Sequence, residues 1–157
     1  HRAVRDLFRA AGFSVSGVRD FRSWLWFHFI LDAALMAQVL RLGGFSGLVR
    51  SADAVRDVVL LVREMIPLLK AKGGTPRLGA AVVSYLPAGL LSFALRRFLA
   101  GDNMVTFMMA QLEGAGHASP EVAGLFPRDV LADARRLEVP LPRLAALEPV
   151  FKETRQH

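Results

Sequence analysis

Between Asp20 and the pair Gly43-Gly44 runs a stretch, about Phe21 to Leu42, without a single glycine or proline. It is apolar nearly all round, with His28, Asp32 and Gln38 as its conspicuous polar side chains. The length and spacing predict one long helix. Asp20 can cap it, because a carboxylate accepts the orphan N–H groups of a first helical turn. A helix apolar on every side must be covered on every side. The rest of the chain therefore has to wrap it, and this one segment demands a multi-helix fold with a long central buried helix.

The remaining sequence agrees. No Asn-Gly or Asp-Gly hairpin signal and no sustained two-residue alternation occurs, whereas apolar residues recur at helical spacing between Gly and Pro punctuation. A short helix is expected over His1–Ala11, ended by Gly12. A second long one is expected over Ala54–Lys72, capped by Ser51 or Asp53, kinked at Pro67 and stopped by Gly73-Gly74. Leu78 to Leu95 carries no charge and should split at Pro87 and Gly89. A methionine-rich helix follows over Asn103–Glu113, and Ser119-Pro120-Glu121 reads as a helix start. Pro127 should interrupt, leaving a separate helix over Arg128–Leu137, and a last helix is expected over Arg143–Arg155. The expectation is a single all-α domain over residues 1–157, with six to eight helices. The glycines of Gly43–Gly47 follow a helix and read as a stop and a loop.

Composition narrows the function. With 53% hydrophobic and 22% charged residues in 157, the chain is not disordered. It has no cysteine, which removes disulfides, thiolate metal sites and a cysteine nucleophile. A reducing, cytoplasmic setting is the default expectation. The net charge is +6, nearly all of it from arginine, with Lys70, Lys72 and Lys152 the only lysines. Such an excess suits nucleic acid, anionic lipid or phosphate-bearing ligands as well as a plain solvated surface. The chain starts at His1 with charged, mixed residues that do not resemble a signal peptide, so a piece of a longer protein is expected.

Two stretches approach membrane-spanning length. Trp24–Leu40 contains Asp32, whose carboxylate at a bilayer centre costs about 2.5–3.5 kcal/mol. Leu78–Leu95 falls short of the ~20 apolar residues a span needs and contains Pro87. Both read as core helices, with an apolar partner surface as the alternative.

For chemistry, His28 and Asp32 stand four apart and share a helix face. A carboxylate beside an imidazole favours its charged form and can hold a proton there; a structural core pair fits the same spacing. His1, His28, His117 and His157 are scattered without metal-ligand spacing, so no metal is expected. No nucleophile elbow, phosphate-binding loop or dinucleotide fingerprint is present.

Several segments nevertheless resemble, in order, the C-terminal helical domain of the ketopantoate reductase family. They are AGFSV (Ala11–Val15), WFHFILD (Trp26–Asp32), REMIPLLKAKG (Arg63–Gly73), SPEV (Ser119–Val122) and ARRLEVPLP (Ala134–Pro142). The second is similar to the family's Trp-x-Lys-φ-x-x-Asn segment, the third to its helix with a central Glu, and the fourth to its Thr-Glu-Ile element. The resemblance implies an NADPH-dependent oxidoreductase acting on a 2-keto acid or related carbonyl. The cofactor, NADP, would be bound mainly by an N-terminal Rossmann domain outside this chain. It also implies that the helical domain supplies substrate contacts and a possible homodimer surface, to which Met104, Met108 and Met109 would contribute. By the same resemblance the catalytic positions are His28, in place of the family's proton-donating lysine, and Glu121. The substrate-binding positions are Asp32, in place of asparagine, and Glu113. The family's serine falls near Met109 and a glycine near Pro127. His28 is shorter than lysine, and Asp32 would repel a substrate carboxylate, so ketopantoate itself is not the expected substrate.

A non-catalytic helical interaction domain is the alternative, binding nucleic acid, a membrane or a protein partner. Arg128, Arg135 and Arg136 are its only nucleic-acid candidates, and Asp129 and Asp133 share their helix. Neither nucleic acid nor membrane is expected as partner.

Overall fold

The computed structural model describes residues 2–15, 17–76, 78–116 and 119–152. His1, His117, His157 and Arg155 lie outside them. The described residues form eleven helices and no strand: α1 (Arg2–Ala10), α2 (Phe21–Leu42), α3 (Phe45–Arg50), α4 (Ala52–Ala71), α5 (Leu78–Tyr85), α6 (Ala88–Leu99), α7 (Met104–Gly114), α8 (Pro120–Ala123), α9 (Leu125–Arg136), α10 (Pro142–Ala146) and α11 (Glu148–Phe151).

The all-helical class holds, and local signals set most boundaries. Asp20 accepts the N–H of Ser23 at 3.1 Å and starts α2. Gly43 ends it in the left-handed region, at φ 74°, while the N–H of Gly44 returns to the Val39 carbonyl at 2.9 Å. Glycine adopts that conformation without the Cβ clash other residues meet. Ser51 caps α4 through the Ala54 N–H, and Asn103 and Thr106 form a reciprocal capping box on α7.

Three elements differ from expectation. Gly43–Gly47 reads as a stop and a loop, but Phe45–Arg50 form α3, because Phe45 and Leu48 find a place in the core. Pro127 does not separate helices but lies in the first turn of α9, where the missing N–H has no intrahelical partner to lose. The final helix is broken at Leu147 into α10 and α11, with Pro149 near the start of the second.

α2 packs against α4 and α9, but it is not the fully buried central helix expected: Phe21, Trp24 and Leu25 in its first turns are exposed. Ile30, Ala33, Ala34 and Ala37 meet a core that includes Val58, Leu61, Val62, Met65 and Leu69 of α4 and Val130, Leu131 and Ala134 of α9. Leu144 and Phe151 complete that core. Each large side chain fully buried here contributes about 1.5–3 kcal/mol. α2 is also the one helix among the described residues long and apolar enough to cross a bilayer.

Polar contacts lock the layers together, and α4 supplies most of them. The Arg63 side chain donates from Nε to the Val83 carbonyl at 2.6 Å and from Nη2 to the Leu86 carbonyl, covering orphan acceptors at the end of α5. Glu64 accepts the N–H groups of Arg143 and Leu144 at 3.0 and 3.1 Å and so caps α10. Lys72, just past α4, pairs with Asp133 of α9 and lies 3.6 Å over the Trp26 ring of α2.

The covering is uneven: Leu78–Leu95 reads as core, yet among residues 79–95 only Ala80 is buried. α1 and α7 bury no residue. Val4, Leu7 and Phe8 on α1, Leu90, Phe93 and Phe98 on α6, and Met104, Phe107 and Met108 on α7 are all exposed.

Candidate functional site

His28 lines an open cleft of about 490 Å³, bounded by the loop at Gly17–Arg19, the first half of α2, Thr75 and the start of α5. Its volume lies within the ~300–1,000 Å³ range of small-molecule sites. The walls are largely apolar: Val18, Trp24, Phe27 and Ala80. Arg19 supplies a cation at the same cleft. Gly79 lets α5 approach closely, since a Cβ there would stand 3.0 Å from the Phe27 ring. The loop before α5 is pinned by the Thr75 N–H, which donates to Ser23 Oγ at 2.8 Å.

The geometry fixes how His28 can act. Its Nδ1 lies 2.8 Å from the Trp24 carbonyl, one turn back on α2. A carbonyl only accepts, so Nδ1 carries a proton and donates it there. The ring also rests on Trp24, with centroids 3.9 Å apart. With Nδ1 occupied, Nε2 is the nitrogen left for exchange with a ligand. Asp32 follows one turn later on the same face and is half-buried. Burial pushes its carboxyl up from the ordinary range, and the neighbouring His28 pulls it partly back.

The other carried-over positions lie elsewhere. Glu121 is exposed at the start of α8 and is not among the residues lining the cleft. Its carboxyl is held below the usual range by its own backbone N–H, by the Ser119 hydroxyl and by Arg128. An acid held ionised in this way is poorly suited to donate a proton. Glu113 of α7 lies over Gly44, where an added Cβ would fall 2.1 Å from Oε1. Gly44 is sixteen residues beyond His28, about 24 Å along the chain at 1.5 Å per helical residue. Met109 lies with Glu113 in the crevice between α7 and α3. The structure thus joins His28 to Asp32 and separates both from Glu113. Arg19 is the cleft residue that sequence reasoning passed over; it stands directly before the Asp20 cap, and nothing local announces its role.

The residues do not fit a dinucleotide. Such a cofactor needs a glycine turn between a strand and a helix, with backbone N–H groups open to phosphate. No strand exists among the described residues, and the Gly43-Gly44 turn is faced by the Glu113 carboxylate, which repels phosphate. No group of three metal-ligating side chains occurs among them either.

The arginines of α9 are engaged within the fold. Arg135 forms a forked pair with Glu148 at 3.0 and 2.6 Å, and Arg136 meets Asp133 at 2.8 Å. Arg128 donates to the carbonyls of Gly124 and Glu121.

Compared with protein-family models, curated proteins and solved structures, the chain finds no match.

Proposed function

We propose that this chain is the substrate-side helical domain of a divergent ketopantoate-reductase-like oxidoreductase, and that the cleft at His28 takes a small 2-keto acid. The observation that carries this reading is the orientation of His28. Its Nδ1 is tied to the Trp24 carbonyl, which leaves Nε2 as the position where a proton can be held against a carbonyl oxygen. Arg19, in the same cleft, offers a guanidinium for the substrate carboxylate. Trp24 and Phe27 give apolar walls for a short side chain.

Reduction of a ketone adds a hydride at carbon and a proton at oxygen. The residues of this chain serve the second event and bind the acid. NADP and a Rossmann domain enter only through the resemblance, and no residue described here holds them.

The test is a titration of the chain with 2-ketobutyrate, followed by ring ¹⁵N resonances of His28. Saturable movement of Nε2, abolished by Arg19→Ala and absent with butane, supports the reading. No saturable movement, or movement indifferent to Arg19, overturns it.

A second reading has its own observation. Leu90, Phe93, Phe98, Met104, Phe107 and Met108 are each about half exposed or more. Three of them lie on α6 and three on α7, so each of these helices turns large apolar side chains to solvent. Monomeric proteins rarely leave so much apolar surface open. A second copy of the chain is the proposed occupant. Sedimentation equilibrium should show dimers that Phe93→Glu dissolves; a monomer at high concentration refutes the reading.

A further inference from the structure

The described residues that line the cleft at His28 divide by chemistry. Arg19 is the one guanidinium among them, and no carboxylate and no lysine is present. Asp20, next to Arg19 in the chain, is turned to the Ser23 N–H at 3.1 Å. Ser23 Oγ in turn accepts the Thr75 N–H at 2.8 Å. The rest of the lining is largely apolar. Trp24 belongs to it, but two rings of α2 already rest against its own, Phe21 at 5.7 Å and His28 at 3.9 Å between centroids. Phe27 meets His28 only edge-on, at 6.3 Å. Phe27, with the exposed Val18 across from it, is therefore the apolar surface left for a ligand.

We infer that the 2-keto acid taken at this cleft carries a short, branched, apolar side chain seated on Phe27, and that Gly79 determines how large that side chain can be. The inference rests on the reading given for His28 and names the substrate class within it. Charge is the first reason. One guanidinium matches one carboxylate, and a second carboxylate on the substrate would meet no cation among the described lining residues. Room is the second. The cleft of about 490 Å³ equals the space of about sixteen waters at ~30 Å³ each, far more than an ethyl side chain fills. Methyl groups added to that side chain take water off the apolar surface of Val18 and Phe27, which favours binding. Gly79 sets the limit. A Cβ there would stand 3.0 Å from Phe27 Cε1 and 3.4 Å from Cζ, so an added methyl either displaces the ring tip or takes up room between α5 and α2. Gly79 lies within α5, where alanine is the better helix former, so the substitution need not harm the fold.

The test titrates the chain with 2-ketobutyrate, 2-ketoisocaproate and 2-ketoglutarate, whose side chains are ethyl, isobutyl and carboxyethyl. Ring ¹⁵N resonances of His28 give the affinities, and NOEs to the Phe27 ring give the seat of the side chain. 2-Ketoisocaproate should bind about tenfold more tightly than 2-ketobutyrate, for the burial of its additional carbons. Its methyl groups should show NOEs to Phe27. 2-Ketoglutarate should bind no more tightly than 2-ketobutyrate. Gly79→Ala should cut the preference for 2-ketoisocaproate about threefold or more, with Tm unchanged or raised. The comparisons on the native chain stand without that variant. Four results overturn this inference while leaving the reading of His28 in place: Arg19-dependent binding of 2-ketobutyrate with no preference for 2-ketoisocaproate, tighter binding of 2-ketoglutarate, no NOE to Phe27, or a preference untouched by Gly79→Ala. No saturable binding of any of the three overturns both.

Discussion

Glu64 joins two parts of the chain almost eighty residues apart, and removing its carboxylate should show what that junction is worth. Its side chain is 11% exposed. Both oxygens lie 3.0 Å from the Arg143 N–H, and Oε1 lies 3.1 Å from that of Leu144. These are first-turn donors of α10, whose own N-cap residue, Leu141, offers no side-chain acceptor. A net hydrogen bond to a charged group is worth ~1.5–3 kcal/mol, and a lost helix cap typically ~0.5–2 kcal/mol. The two donors share one carboxylate, and water reaches the site in part, so the combined loss in Glu64→Ala should be about 2–3 kcal/mol. For a chain of this size that lowers Tm by about 4–12 °C. Glu64→Gln keeps one acceptor and should cost about half as much. Urea unfolding gives the free energies, and amide exchange gives the location: Arg143 and Leu144 should exchange faster in Glu64→Ala. A loss below ~0.5 kcal/mol, or unchanged exchange at these two amides, would refute the cap.

Other expectations follow from the same contacts. Asp32 has a folded pKa raised by burial, so the folded state binds its proton more tightly than the unfolded state and the charged form weakens the fold. Its penalty is therefore present at neutral pH and relieved as pH falls through the raised value; Asp32→Asn should stabilise the chain at pH 7 and remove that part of the acid dependence. Asp133 is the opposite case, its pKa depressed by Arg136 first and Lys72 second. It contributes stability above the ordinary carboxylate range and loses it as pH falls through the depressed value. Lys72→Met should cost about 1–2 kcal/mol, shrink that acid-labile share and shift tryptophan emission through Trp26; unchanged emission would count against the ring contact. Gly44→Ala puts a Cβ on a residue at φ 143°, a conformation L side chains rarely adopt, and should cost about 1–3 kcal/mol in thermal unfolding; a neutral result would show that the turn relaxes without strain.

What was legible in the sequence was local. Asp20 and Ser51 start helices because a short polar side chain reaches its own first turn, and Gly43 stops one because glycine turns left without strain. The pairing of His28 with Asp32 was equally readable, since four residues return to the same helix face. α3 was not: Gly44 and Gly47 flank Phe45 and read as a stop and a loop, and only burial of Phe45 and Leu48 among other helices makes that segment helical. Pro127 misled for a related reason, because its effect depends on whether it falls in a first turn or an interior. The grouping of His28, Asp32, Glu121 and Glu113 came from resemblance; His28 and Asp32 share a face of α2, Glu113 lies over Gly44, and Glu121 is not among the residues lining the cleft.

The sequence by itself determined that the chain is helical, where most helices begin and end, and that the later turns of α2 must be covered. These follow from interactions within a few residues and from an apolar circumference that water cannot cover. The tertiary structure alone decided which side chains meet. It set Glu64 against α10, Lys72 between Trp26 and Asp133, Arg19 and His28 on one cleft, and the Gln38 oxygen in the interior with no donor. Each of those contacts joins separate turns or separate elements, and its geometry depends on how whole helices pack, which no spacing along the chain encodes.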